Sequence, residues 1–121
     1  MSGKRSRRKG ATGEREVANI LRDRFGIDTH RGLQTAGANL CDVEGTRYWI
    51  EVKRGKRCRV RAGYAQAVGD STPDGRPPVL VWRDDHGQWM VTASLDDVMT
   101  EIDTWAAFAA EEVTRCKTES E

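Results

Sequence analysis

The amino-acid sequence predicts an α/β or α+β domain with a mixed central β-sheet flanked by helices. Apolar residues recur every three or four positions near both ends of the chain, as they do in helices that bury one face. Between these segments lie short runs of β-branched and aromatic residues bounded by turn residues, which are typical of strands. The resulting order is helix, hairpin, helix, two strands and helix, and 121 residues suffice for one such core.

The N-terminal segment divides into a basic tail and a helix. Residues 1–9 are rich in Gly, Ser, Lys and Arg, which predicts a flexible basic tail before a single folded domain of residues 10–121. The first helix is predicted over residues 12–25, because Val17, Leu21 and their neighbours follow helical spacing.

The sheet is predicted from segments rich in strand-forming residues. Residues 42–53 form a predicted hairpin, whose second strand contains the run from Tyr48 to Val52. A second helix is expected over residues 60–70. Residues 78–83 predict a buried strand, and a turn then leads to another strand at 88–92.

A last helix is predicted over about residues 94–113, with Ser94 as its N-cap and an acidic tail after it. Ile102, Trp105 and Phe108 give this helix more apolar surface than one small sheet readily covers. Two interpretations stay open: part of the helix pairs two subunits, or all of it packs on its own sheet.

The net charge of +1 conceals a strong asymmetry along the chain. Residues 1–63 contain sixteen basic and seven acidic residues, whereas residues 64–121 contain four and twelve. This separation predicts a basic surface for a polyanion, unless folding mixes the charges.

Membrane insertion, secretion and a cysteine framework are disfavoured. No apolar run approaches the roughly 18 residues of a membrane span, and no apolar segment follows the basic start. The three cysteines are irregularly spaced and contain no C-x-x-C pair, which argues against zinc or disulfides. We expect a cytoplasmic protein.

Glu14 occupies an unusual position for an acidic residue. On a helical wheel it lies among Val17, Ala18 and Leu21, whereas Glu16 lies on the opposite, solvated side. A carboxylate that faces the core is costly unless a partner or a metal ion binds it. The alternative is that Glu14 is a first-turn acid near the positive end of the helix dipole.

The hairpin places an acid and a base side by side. Period two puts Trp49, Glu51 and Lys53 on one face of the second strand. Asp42 lies on the preceding strand, and a tight hairpin brings it near Glu51. The alternative is that Glu51 and Lys53 form an ordinary salt bridge on a solvated face of the sheet. That alternative would not explain why Glu14 also faces inward.

These residues resemble the PD-(D/E)XK nuclease signature. The signature has an Asp at a strand start, a hairpin and then acid-x-Lys; here Asp42 is followed after eight residues by Glu51-Val52-Lys53. Glu14 matches the acidic residue that such nucleases often carry on the preceding helix. Pro73-Asp74 is a literal Pro-Asp pair, but no acid-x-Lys follows it, so we interpret it as a turn.

Within that superfamily the chain most resembles the archaeal and phage Holliday junction resolvases. The match covers about residues 9–92 and includes the opening from Lys9 to Glu16, then Arg31 and the Thr35-Ala36-Gly37 loop. The loop departs from the family, which tends to have Ser-Gly there. Cys41 stands where a Pro usually precedes the Asp.

The resemblance implies a restriction-endonuclease-like core and a Mg²⁺-dependent endonuclease, with Mn²⁺ as a substitute. Its expected substrate is branched DNA, and a homodimer would supply two equivalent sites, in the host cytoplasm if the gene is from a phage. The expected catalytic residues are Glu14, Asp42, Glu51, Lys53 and Gln66, and the expected metal ligands are Glu14, Asp42, Glu51 and the carbonyl of Val52. The expected DNA contacts are Lys9, Arg15, Arg31, Thr35, Arg54, Lys56, Arg57, Arg59 and Arg61. The alternatives are a nuclease of this fold that cuts other DNA forms and a DNA-binding module without catalysis.

Overall fold

The computed structural model describes residues 2–32 and 40–119, and these ranges contain three helices and five strands. The elements are α1 (Ser2–Phe25), β1 (His30–Arg31), β2 (Val43–Glu44), β3 (Trp49–Gly55), α2 (Val60–Ser71), β4 (Pro78–Asp84), β5 (Met90–Thr92) and α3 (Leu95–Glu119). The strands lie side by side in chain order. β3 and β4 are parallel, and the other neighbouring pairs are antiparallel. The sheet is therefore mixed, and the fold is the predicted α+β, restriction-endonuclease-like core.

Alternation along β3 assigns its side chains to the two faces of the sheet. Ile50 and Val52 are buried against Val17 of α1. Trp49 is buried on the other face, against Ala67 of α2. The predicted period of two is confirmed, but the face with Trp49 and Glu51 is covered by α2 and is not solvated.

Close packing of α2 brings its side chains over β3 and β4. Gly63 is buried, and a Cβ atom at this position would lie 3.1 Å from Cδ2 of Leu80. A side chain here would therefore push α2 away from the sheet. Because Gly63 has no side chain, α2 lies close enough to the sheet to place Gln66, one turn later, near β3.

Both terminal segments are more helical than predicted. α1 begins at Ser2, so residues 2–9 continue the helix instead of forming the expected flexible tail. Lys and Arg are good helix formers, and the rest of the helix supplies the nucleus that they extend. At the other end, α3 reaches Glu119, so most of the predicted acidic tail is also helical.

The start of α3 follows the prediction, but its packing does not resemble that of a core helix. The backbone N–H of Asp97 donates to Oγ of Ser94 at 3.1 Å, which confirms the N-cap. Leu95 is 75% exposed and Ile102 is 52% exposed. The interpretation in which this helix completes its own sheet is therefore wrong for these side chains. The side chains of Trp105 and Phe108 lie outside the described part of the chain.

No helix within the described ranges is long and apolar enough to span a bilayer.

Candidate active site

The β2–β3 hairpin holds Asp42 against the middle of β3. The backbone N–H of Asp42 donates to the carbonyl of Ile50 at 2.9 Å. Two residues further along β3, the N–H of Val52 donates instead to Oδ2 of the Asp42 side chain, at 2.8 Å. The carboxylate of Asp42 thus replaces a backbone acceptor at the point where the two strands separate, and it points toward β3.

Asp42 and Glu51 repel each other electrostatically in a poorly hydrated site. Burial, followed by the nearby charge of Glu51, raises the pKa of Asp42 to about 7, although the Val52 N–H opposes this. Burial also raises the pKa of Glu51; the charge of Lys53 counteracts that rise and the charge of Asp70 adds to it. Two such carboxylates would be stabilised together by a divalent cation.

Two of the predicted catalytic residues, Lys53 and Gln66, both contact Glu51. Nζ of Lys53 lies 3.6 Å from Oε1 of Glu51. Nε2 of Gln66 donates to the same oxygen at 3.0 Å. Glu51 itself is 6% exposed, so these contacts fix its orientation within the fold.

Asp70 of α2 lies close enough to Glu51 to act on its charge, and the sequence analysis did not single it out. Its charge acts on Glu51 from α2. The available signal was its position four residues after Gln66, which places both side chains on one face of the helix. A single Gln-x-x-x-Asp spacing is too common to have indicated this alone.

Glu14 faces inward, as its position on the helical wheel predicted. Its side chain is 13% exposed, and Nε of Arg31 lies 2.5 Å from its Oε2. Arg31 therefore contacts Glu14, whereas the sequence analysis predicted only a DNA contact for it. Among the described residues, no group of three acidic, His or Cys side chains is arranged to hold a metal ion. Glu14 is paired with Arg31 instead.

Glu16 contacts the sheet, although the helical wheel placed it on the solvated side of α1. Its two carboxylate oxygens lie 3.3 Å from a guanidinium nitrogen of Arg83 and 3.4 Å from one of Arg54. Nε1 of Trp89 also donates to it, at 3.2 Å. The guanidinium of Arg83 stacks over the Trp89 ring at 5.4 Å. Glu16 therefore joins α1 to β3, β4 and the connection that precedes β5.

We expect Glu16→Ala to lower the free energy of unfolding by roughly 2–4 kcal/mol, because it leaves two half-buried guanidinium groups without their shared partner. Urea unfolding measures the change. Asp23→Ala is the matched control on the same helix, since the Asp23 side chain is 72% exposed; its effect should stay within about 0.5 kcal/mol. Equal effects of the two variants would contradict a structural role for Glu16.

The chain also matches a known protein family. The model of a family described as "Phage putative PDDEXK endonuclease" matches residues 5–120 of the chain. The chain belongs to this family. A comparison with curated proteins finds no match.

The residues that were predicted to contact DNA differ in their exposure and in their partners in this endonuclease. Lys56, Arg57, Arg59 and Arg61 are exposed. They lie on the connection from β3 to α2 and in the first turn of α2, just beyond Lys53, and no ion pair involves them within the described ranges.

That connection is anchored at one point. The N–H of Cys58 donates to Oδ1 of Asp84 at 2.7 Å, and its Sγ contacts the carbonyl of Arg83. The exposed basic residues on either side of Cys58 thus extend from a fixed backbone.

Arg54 differs from its basic neighbours. It has the same parity along β3 as Val52, so it lies on the α1 face, and Glu16 binds it there. Arg15 is exposed on α1. The side chain of Lys9 and the loop with Thr35 lie outside the described residues, so their predicted DNA contacts remain predictions.

The Pro73-Asp74 pair belongs to a turn, as predicted. The N–H of Asp74 donates to the carbonyl of Ser71 at 3.0 Å. Its carboxylate accepts from Nε of Arg76 at 2.6 Å, which holds the pKa of Asp74 below its ordinary value.

Proposed function

We propose that the chain is a divalent-metal-dependent DNA endonuclease that cuts branched DNA, above all four-way junctions, as a homodimer. The observation that carries the nuclease assignment is the convergence of Asp42, Glu51 and Lys53 at the point where β2 and β3 separate. Family membership supports the class of activity. The choice of branched DNA depends on the resemblance of the opening segment and of Arg31 to resolvases.

The donor atoms of the site suit Mg²⁺, with Mn²⁺ as a substitute. Asp42 and Glu51 would hold the ion, and the Val52 carbonyl and Glu14 would complete the set, either directly or through water. Mg²⁺ prefers hard oxygen ligands and keeps several waters, so two protein carboxylates are sufficient. When bound, the cation polarises the phosphate and lowers the pKa of a coordinated water.

Each of the remaining side chains has a role that follows from its contacts. Lys53, which is 39% exposed, can reach the substrate and offset the negative charge that develops on the phosphate during attack. Gln66 holds the Glu51 carboxylate in place through its 3.0 Å hydrogen bond. Arg31 keeps Glu14 oriented, and it would add a positive charge near the bound phosphate.

The exposed cations Lys56, Arg57, Arg59 and Arg61 would bind phosphates on either side of the cut. Such contacts position a duplex without reading its sequence. With such contacts, specificity would come from DNA shape and from the phosphate backbone.

We expect four-way junctions to be cut in preference to linear duplex of the same sequence. The test incubates both substrates together with Mg²⁺ at fixed salt and compares their initial rates, because binding to phosphates depends strongly on salt. Flap and nicked DNA are included. Equal rates on junction and linear DNA would leave a general nuclease of the same fold, and binding without cleavage in Mg²⁺ or Mn²⁺ would leave a non-catalytic DNA-binding module.

A further inference from the structure

Trp82 lies beside Lys53 on the sheet. The two residues are partners in the parallel register of β3 and β4. Side chains of such partners project from the same face, and neighbouring strands are about 4.8 Å apart. The Trp82 side chain is therefore the neighbour of Lys53 on the face that also carries Glu51.

The indole of Trp82 is held in place without being buried. Its Nε1 donates to Oγ1 of Thr92 at 3.0 Å, which ties the side chain to β5. Trp49 lies on the same face of the sheet, but it is 1% exposed and packs against Ala67 of α2. Trp82 is only half-buried. It thus keeps a fixed orientation and leaves part of its surface accessible.

No arginine covers the ring of Trp82. The guanidinium of Arg76 lies 5.4 Å from the ring centre of Trp49, and that of Arg83 lies 5.4 Å from the ring centre of Trp89. Among the tryptophans whose side chains the structure describes, Trp82 is the one without such a cation. Its ring can therefore stack on a planar group that comes from outside the chain.

Met90 extends the apolar surface around Trp82. It is the partner of Trp82 in the antiparallel register of β4 and β5, and it is 44% exposed. Lys53, Trp82 and Met90 thus form a row across three neighbouring strands. An indole and a thioether both offer polarizable contact area. The row therefore combines a cation with an apolar platform.

The exposed basic connection between β3 and α2 ends this platform on one side. The N–H of Cys58 in that connection donates at 2.7 Å to Oδ1 of Asp84, which follows Trp82 by two residues on β4. Cations thus lie both beside Trp82, at Lys53, and beyond it along the strand. This arrangement fits a polymer that alternates phosphates with planar bases.

We propose that Trp82 stacks on an unstacked DNA base next to the scissile phosphate, with Met90 flanking that base. The inference rests on the proposed function, because Lys53 is what places the phosphate. Every base has a π face, so the contact is tolerant of sequence. A base leaves its stack most easily where pairing is already interrupted. The substrate feature that Trp82 recognises is therefore interrupted base pairing at the cut, as at a branch point or a loop.

The experiment measures binding of the full chain, without divalent metal, to a duplex with a short run of unpaired thymines and to its fully paired counterpart. We expect Trp82→Ala to weaken binding to the interrupted duplex by about tenfold and to change binding to the paired duplex little. Trp82→Phe should retain most of the affinity, because its ring can still stack. The salt dependence should be the same in all three proteins, since no phosphate contact is lost.

Val91→Ala is the matched control. Val91 follows Met90 on β5 and is 65% exposed, but it projects from the opposite face of the sheet. This variant should bind both duplexes as the wild type does. Circular dichroism checks the folding of each variant. Equal weakening on both duplexes by a folded Trp82→Ala would overturn the proposal.

Crosslinking locates the contact in the wild-type protein, without any substitution. With 5-iodouracil in place of one unpaired thymine, irradiation should join the base to Trp82, and peptide mass spectrometry identifies the residue. Crosslinks at other residues alone would also overturn the proposal, even for a protein that cuts DNA. DNA that crosslinks to Trp82 but is not cut in Mg²⁺ or Mn²⁺ would count against the proposed nuclease and not against this base contact.

Discussion

Asp42→Asn and Glu51→Gln should each lower metal-dependent DNA cleavage by roughly a thousandfold or more, because each removes a charged oxygen ligand from the site. Both substitutions preserve the shape of the side chain. An amide oxygen at position 42 can still accept the Val52 N–H, and an amide at position 51 can still accept from Gln66. The fold should therefore persist, and DNA binding measured without divalent metal should be close to that of the wild type.

The chain offers a matched control for each of these substitutions. Asp74→Asn changes the other Asp of a Pro-Asp pair, and Asp74 is an exposed partner of Arg76 in a turn. Glu44→Gln changes a glutamate on β2 that also binds Arg76, with an oxygen 2.9 Å from its guanidinium. Both controls should cut DNA at nearly the wild-type rate. Cleavage by Asp42→Asn at a rate near that of Asp74→Asn would refute the assigned site.

Local patterns were sufficient to predict the elements that build the site. The spacing from Asp42 to Glu51 and Lys53 has one simple solution, a hairpin, and the structure contains it. Period two along β3 assigned its residues to the correct faces, because strand geometry alone fixes that alternation. Glu14 likewise faces inward because its neighbours Val17 and Ala18 are buried.

Predictions that depended on distant parts of the chain were less successful. Glu16 was assigned to solvent because the helical wheel contains only the residues of α1, whereas its partners Arg83 and Trp89 come from more than 60 residues later. The surroundings of Arg54 could not be predicted for the same reason. The packing of α3 was left open, since a helical repeat shows that a face is apolar without showing what covers it.

Metal should stabilise the wild-type protein, and Asp42→Asn should abolish that response while stabilising the metal-free chain. Because the pKa of Asp42 is raised in the folded state to about 7, its ionisation above that pH costs folding free energy when no cation is present. At pH 8 the neutral amide removes this cost, so we expect metal-free Asp42→Asn to be more stable than the wild type by roughly 1–3 kcal/mol. Below the unfolded-state pKa of Asp, the advantage should disappear, because the carboxyl is then protonated in both states.

Thermal unfolding with and without Mg²⁺ measures both effects in the same samples. A metal ion at a hundred times its dissociation constant should add about 2.7 kcal/mol to the stability of the wild type, which is an effect of binding to the folded state alone. Asp74→Asn, which does not alter the pair of site carboxylates, should respond to Mg²⁺ as the wild type does. If metal-free Asp42→Asn is instead less stable than the wild type at pH 8, then the carboxylates of Asp42 and Glu51 do not repel each other enough to destabilise the fold. A bound cation would then have no repulsion to relieve at this site, even in a protein that cuts DNA.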